Sequence, residues 1–153
     1  MSYNYFLKVV EFEKWANQRV VVYLDKNAND HRSLSIFNHL LADIEPWLSV
    51  IEQLKRSLVH VGYPDWHLEE CKEKLAETMG RLTNILFMLK TRNMNETIVS
   101  CGGEKNTIEE ILGHIFSHSQ HHRGQLELLM HEHTNEYTNL GYMYYLRTER
   151  KGT

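Results

Sequence analysis

Cysteine, proline and glycine are all scarce in this chain, and each scarcity removes a class of protein. Two cysteines among 153 residues, Cys71 and Cys101, are too few for a disulfide scaffold, and their separation fits no paired metal-ligand spacing. They are expected to be ordinary thiols in a reducing compartment. Two prolines and eight glycines punctuate too few reversals for an all-β fold of short strands, so long helices are expected instead. No sign of charge dominates: 17 basic and 20 acidic side chains give a net charge of -3, with both signs spread along the chain. Such a surface offers a phosphate backbone no counterion-release energy, which disfavours nucleic acid as a partner. Long apolar runs are missing too. Nothing approaches the roughly 18 residues of a membrane span, and the opening Met-Ser-Tyr-Asn-Tyr-Phe-Leu-Lys has no basic leader before an apolar core. A cytoplasmic protein without a membrane partner is expected. The length suits a single domain over residues 1–153, large enough to bury a core.

What is present is helical periodicity. Phe6, Val9, Val10, Phe12, Trp15, Val20, Val21 and Leu24 recur at threes and fours and predict an amphipathic helix over 5–24. After a polar break, Ser33 or Ser35 can cap a second helix whose apolar positions run from Ile36 to Leu58. Pro46 interrupts that helix, and a bend over 42–45 is expected. A turn cluster at 61–65 precedes a third helix, marked by Leu68, Cys71, Leu75, Met79, Leu82, Ile85, Leu86 and Leu89 and ending near Lys90. The β-branched stretch 97–101, followed by Gly102 and Gly103, reads as an extended piece closed by a hairpin or a simple loop. Thr107 and Glu110 form a capping box that opens a fourth helix reaching about His133. Residues 137–151 can add a short terminal helix. The predicted fold is all-α: a four-helix bundle with an extended segment or hairpin before the fourth helix and a short C-terminal helical segment.

Histidine is the residue in excess. Of ten, six lie between His114 and His133. Advancing about 100° per residue places His122 among the apolar positions of the fourth helix, His118 at their edge, and His114 and His121 outside them. Four residues apart on a helix, His118 and His122 are neighbours that one cation can bridge. The competing reading makes them core-edge histidines satisfied by hydrogen bonds, but that leaves up to four ring nitrogens to satisfy in an apolar core. In zinc proteases a glutamate general base follows the first histidine of this spacing; Ser119 stands there instead. A third ligand is sought in 37–47, where His39 and Asp43 lie one turn apart. On spacing alone His39 is as well read as an exposed or capping histidine. His31, His60, His67, His131 and His133 fall in loops or at helix ends and are expected in solvent.

Together these residues carry a resemblance that spans nearly the whole chain. Trp15-Ala16-Asn17, the segment His39-Leu-Leu-Ala-Asp-Ile44 with Trp47, the extended stretch before the fourth helix, His118-x-x-x-His122-Arg-Gly-Gln125 and a late Tyr144-Tyr-Leu-Arg147 resemble the DinB or YfiT-like family of bacterial proteins, which is unrelated to the DNA polymerase of the same name. The resemblance implies a four-helix bundle, commonly a homodimer, whose divalent metal is held by His39, His118 and His122. Nickel or zinc is the usual ion, with iron and manganese as alternatives. The asparagine that often precedes the first helix-four ligand is Ser117 here. Some relatives are thiol transferases or isomerases that use low-molecular-weight thiols such as bacillithiol or mycothiol.

Three imidazoles leave a metal position open, as catalytic sites do. A thiol bound there would ionise at neutral pH and could attack an electrophilic small molecule, which makes a metal-dependent thiol S-transferase one reading. A non-catalytic, stress- or damage-associated metal-binding dimer is the second, and a metal-dependent hydrolase using bound hydroxide is the third. No general acid or base is evident. Asp43 and Gln125 are candidates to orient ligand imidazoles by accepting from the ring N–H that faces away from the metal, whereas Arg123 falls on the far side of the apolar stripe from His114, suggesting packing or a dimer contact.

Overall fold

The computed structural model describes residues 3–53, 62–100 and 103–151. Four long helices, α1 (Tyr3–Lys26), α2 (His31–Ile51), α3 (Leu68–Met88) and α4 (Ile108–Thr134), form the bundle, and α5 (Tyr142–Lys151) follows. Around the bundle the order is α1, α3, α2, α4, since α1 packs on α3, α3 on α2, α2 on α4, and α4 closes on α1. The apolar stripes read from periodicity meet at the centre, where Phe6, Phe37, Leu40, Leu48, Leu82, Ile111, Ile115 and Leu126 are almost wholly buried. Burial of that surface is the main drive for folding. No helix among the described residues is long and apolar enough to cross a membrane.

Local chemistry sets the ends of α2. Its cap is Asp30, three residues before Ser33 and five before Ser35, the serines proposed above: Asp30 Oδ1 accepts from the Ser33 amide at 3.1 Å, and Oδ2 accepts from Ser33 Oγ at 2.6 Å and from Tyr23 OH at 2.7 Å. Ser33 therefore serves as donor to the cap, because the carboxylate competes better for the unpaired first-turn amide. Pro46 does not interrupt α2, which runs continuously from His31 to Ile51. The helix stops short of Leu58: Gln53 takes a left-handed φ of 56°, and Leu54 and Leu58 lie outside the described residues.

Before α4 the chain forms a hairpin. β1 (Thr97–Val99) pairs antiparallel with β2 (Lys105–Thr107), Thr97 opposite Thr107 and Val99 opposite Lys105, with Gly103 in the turn at φ 82°. Thr107 ends β2 and caps α4 as expected, its Oγ1 accepting from the Glu110 amide at 3.1 Å while Glu110 Oε2 accepts from the Thr107 amide at 2.7 Å. Two further first-turn amides of α4, those of Ile108 and Glu109, donate to the Glu96 and Met94 carbonyls. The hairpin and the residues just before it thus anchor the start of the helix that carries two of the candidate ligands.

The terminal helix begins at Tyr142 and lays Tyr142 and Tyr145 over Phe12 of α1, with ring centroids 5.1 and 5.6 Å away. Cys71 is fully buried. Its thiol donates to Asn38 Oδ1, and burial, with the charge of Glu70 nearby, pushes its pKa up to about 11. Such a thiol is unreactive at neutral pH. Cys101 lies outside the described residues.

Candidate metal centre

The site forms where α2 and α4 cross. One turn of α2 presents His39 and Asp43, and one turn of α4 presents His118 and His122. Asp43 Oδ2 lies 3.2 Å from His39 Nε2 and 2.8 Å from His118 Nε2, and His118 Nε2 lies 3.0 Å from His122 Nε2. One ligand atom from each of these four residues falls within 4.8 Å of the others, a grouping able to hold a metal ion. The histidine rings meet edge to face: His39 against His122 at 89° and His118 against His122 at 82°. That mutual arrangement turns ring nitrogens toward a common point. His39 and His122 are buried, at 6% and 4% exposure, while the His118 side chain keeps 27%.

Contacts behind two of the rings orient them. His122 Nδ1–H donates to Gln125 Oε1 at 2.9 Å, leaving the Nε2 lone pair facing inward. Gln125 is in turn oriented by its own Nε2, 3.2 Å from His121 Nε2. His39 Nδ1 lies 3.4 Å from the Gly62 carbonyl, and the Tyr63 ring stacks on His39 at 4.3 Å with an 18° interplanar angle. Sequence reading missed this cover from the 62–67 segment. Its fastening was legible only in part: Asn38, next to His39, donates through Nδ2 to the Pro64 and Trp66 carbonyls, each at 3.0 Å. An asparagine before a histidine on a half-apolar helix was the available signal.

The structure treats the other sequence candidates differently. Asp43 sits on the inner, Nε2 side of the imidazoles, among the donor atoms, rather than behind a ring. Glu45 and Arg123, close in sequence, turn away. Glu45 Oε1 lies 3.5 Å from Arg81 Nη1 of α3, and Arg123 points to α1, where its two Nη atoms donate to the Glu13 carboxylate at 2.8 and 2.5 Å. His114 and His121 are exposed, as the helical wheel places them, and so are His31, His67, His131 and His133; His60 lies outside the described residues. His114 still edges the site, 4.6 Å from the Trp47 ring and 5.6 Å from that of His118.

Burial lowers the pKa of His122, and nearby His118, His39 and His121 lower it further, against a hydrogen bond with Gln125 that raises it. Partial loss of water around the ring, which leans on Trp47, likewise lowers that of His114, aided by His118 and opposed by Asp43. A neutral His122 at pH 7 offers a metal its lone pair without proton competition. The linked effect on folding has a definite sign. Because the folded-state pKa is depressed below the ordinary 6.5, the folded protein binds fewer protons than the unfolded chain between the two values. The contribution is whole above pH 6.5 and is lost as pH falls through 6.5 toward the folded pKa. In chelator, the urea midpoint should fall on acidification below pH 6.5, and fall less for His122→Gln. Equal slopes for the two proteins would contradict the buried, neutral assignment.

The sequence pattern of the DinB superfamily matches residues 15–126. The chain belongs to the DinB superfamily. The matched span takes in His39, Asp43, His118 and His122 as well as the hairpin. No curated protein and no solved structure matches the chain.

Proposed function

We propose that this DinB-like protein is a metal-dependent thiol S-transferase, in which His39, His118 and His122 hold a divalent cation, nickel or zinc, and a low-molecular-weight thiol is conjugated to an electrophilic small molecule. The observation that supports this most is the convergence of three imidazoles and one carboxylate within 4.8 Å, beside a partly exposed His118. The donor set suits such a cation: three imidazole nitrogens and one carboxylate oxygen, with no lysine or arginine paired to Asp43 among the described residues. A bound cation would supply acidity, lowering the pKa of a thiol that reaches it so that thiolate is available at neutral pH.

The chain's own residues do the rest. Gln125 and the Gly62 carbonyl hold His122 and His39 with their Nε2 lone pairs inward, and Tyr63 shields the His39 ring from water. Trp47 and His114 border the open side next to His118, where a flat or apolar substrate portion can lie. Asp43 is the group placed to take a proton from an arriving thiol. Its position also favours a second reading, a non-catalytic metal-binding protein, because a fourth protein donor completes the set found in closed structural sites. A homodimer accords with either.

Elemental analysis of the purified protein, together with conjugation of bacillithiol or mycothiol to 1-chloro-2,4-dinitrobenzene, tests both. Turnover that requires thiol and metal together, and disappears in His39→Ala, His118→Ala and His122→Ala, is the expected result. Metal-linked stabilisation without turnover would leave the structural reading. Full metal retention in all three variants would remove the site.

A further inference from the structure

We propose that the seam between α1 and α4 is a second ligand site, separate from the metal centre, for a small apolar molecule carrying a carbonyl or carboxylate oxygen. This seam is the sparsest of the four sides of the bundle, and it holds a cavity of about 530 Å³ that opens to solvent, a size typical of small-molecule sites. Phe6, Phe12, Phe116 and Tyr142 supply aromatic walls. Gly113 lies on the α4 side, and a Cβ built there meets nothing within 4 Å. Glycine is unfavourable inside a helix, and no close approach of another segment among the described residues requires it here. Its effect is to leave the cavity open.

The polar end of the cavity selects the chemistry. Glu13, Gln120 and Arg123 line it. Both Glu13 oxygens already accept from Arg123, and Gln120 Oε1 accepts from Arg123 Nη2 at 3.3 Å. What remains are donors. Arg123 Nε–H is buried without a partner, and the Gln120 amide N–H has no partner among the described residues. A buried donor left unpaired is costly, and an incoming oxygen acceptor removes the cost. Because Glu13 cancels the charge of Arg123, the site asks for an acceptor and does not demand an anion. Gly113, Phe116 and Gln120 occupy the flank of α4 that faces α1, whereas His118 and His122 face α2, so the two sites lie on opposite flanks of one helix.

Calorimetric titration of the full chain with octanoate, 2-octanone and octylammonium tests the proposal. Saturable one-to-one binding of octanoate or 2-octanone is expected, with octylammonium at least about tenfold weaker despite the protein's net negative charge. The preferred member of the first two tells whether the site takes the charged or the neutral oxygen. Gly113→Leu fills the cavity, and Gln120→Glu, at an exposed position, replaces the donor; each should weaken binding at least about tenfold. His39→Ala should bind the probe as the unmodified protein does. Absence of binding by both oxygen-bearing probes, equal binding of octylammonium, or unchanged binding in Gln120→Glu would overturn the assignment.

Discussion

Arg123→Ala should lose about 3–5 kcal/mol of folding stability, the usual consequence of removing one member of a buried ion pair. Arg123 and Glu13 have side-chain exposures of 0% and 1%, so truncating the arginine would leave a buried carboxylate without its cation. The guanidinium also lies 4.9 Å from the centre of the Phe12 ring, and that packing would be lost as well. For a protein of this length the change corresponds to a fall of about 10 °C in the melting temperature. The double variant Glu13→Leu with Arg123→Met should recover most of the loss, because two apolar side chains of similar bulk leave no charge to desolvate. Thermal and urea denaturation of the three proteins separates the cases. A single variant within about 1 kcal/mol of the unmodified protein would mean that the pair is far better solvated than its burial indicates.

His122→Ala should weaken binding of a divalent cation at least about a hundredfold, since it removes the most buried ligand on α4. Gln125→Leu should weaken it about ten- to a hundredfold, by freeing the ring whose Nδ1–H it now holds. Competition with a chromogenic chelator measures both. Thermal stability gives an independent check: saturating the unmodified protein at about a hundred times its dissociation constant should add about 2.7 kcal/mol, and the same metal concentration should add little to His122→Ala. Should Gln125→Leu bind as the unmodified protein does while His122→Ala does not, His122 would be a ligand whose tautomer is set by something other than Gln125.

Much of the fold was legible because burial leaves a periodic trace. The helices, the Thr107 cap and the terminal helix follow from residues that act within one or two turns. The second strand of the hairpin did not show, since Lys105-Asn106-Thr107 has no apolar alternation and becomes a strand by pairing with Thr97–Val99. Pro46 misled for a related reason: an unsatisfied carbonyl can be tolerated where neighbouring helices hold the segment in place, so α2 persists through it. At the site, His118 and His122 announced themselves by spacing. His39 was named by family resemblance, and its spacing left it ambiguous.

The order of residues along the chain was enough to specify amphipathic helices, an exposed His114 and His121, and an α4 pair able to share a cation, because a helix converts sequence separation directly into direction. Partners from different helices were beyond it. That Asp43 faces the inner nitrogens, that Arg123 seeks Glu13, and that Tyr63 covers His39 depend on how α1, α2, α4 and the 62–67 segment pack. Those choices are made by the shape of the shared core: Arg123 read from the wheel as a packing or dimer contact, and only the approach of α1 to α4 supplies Glu13 as its partner.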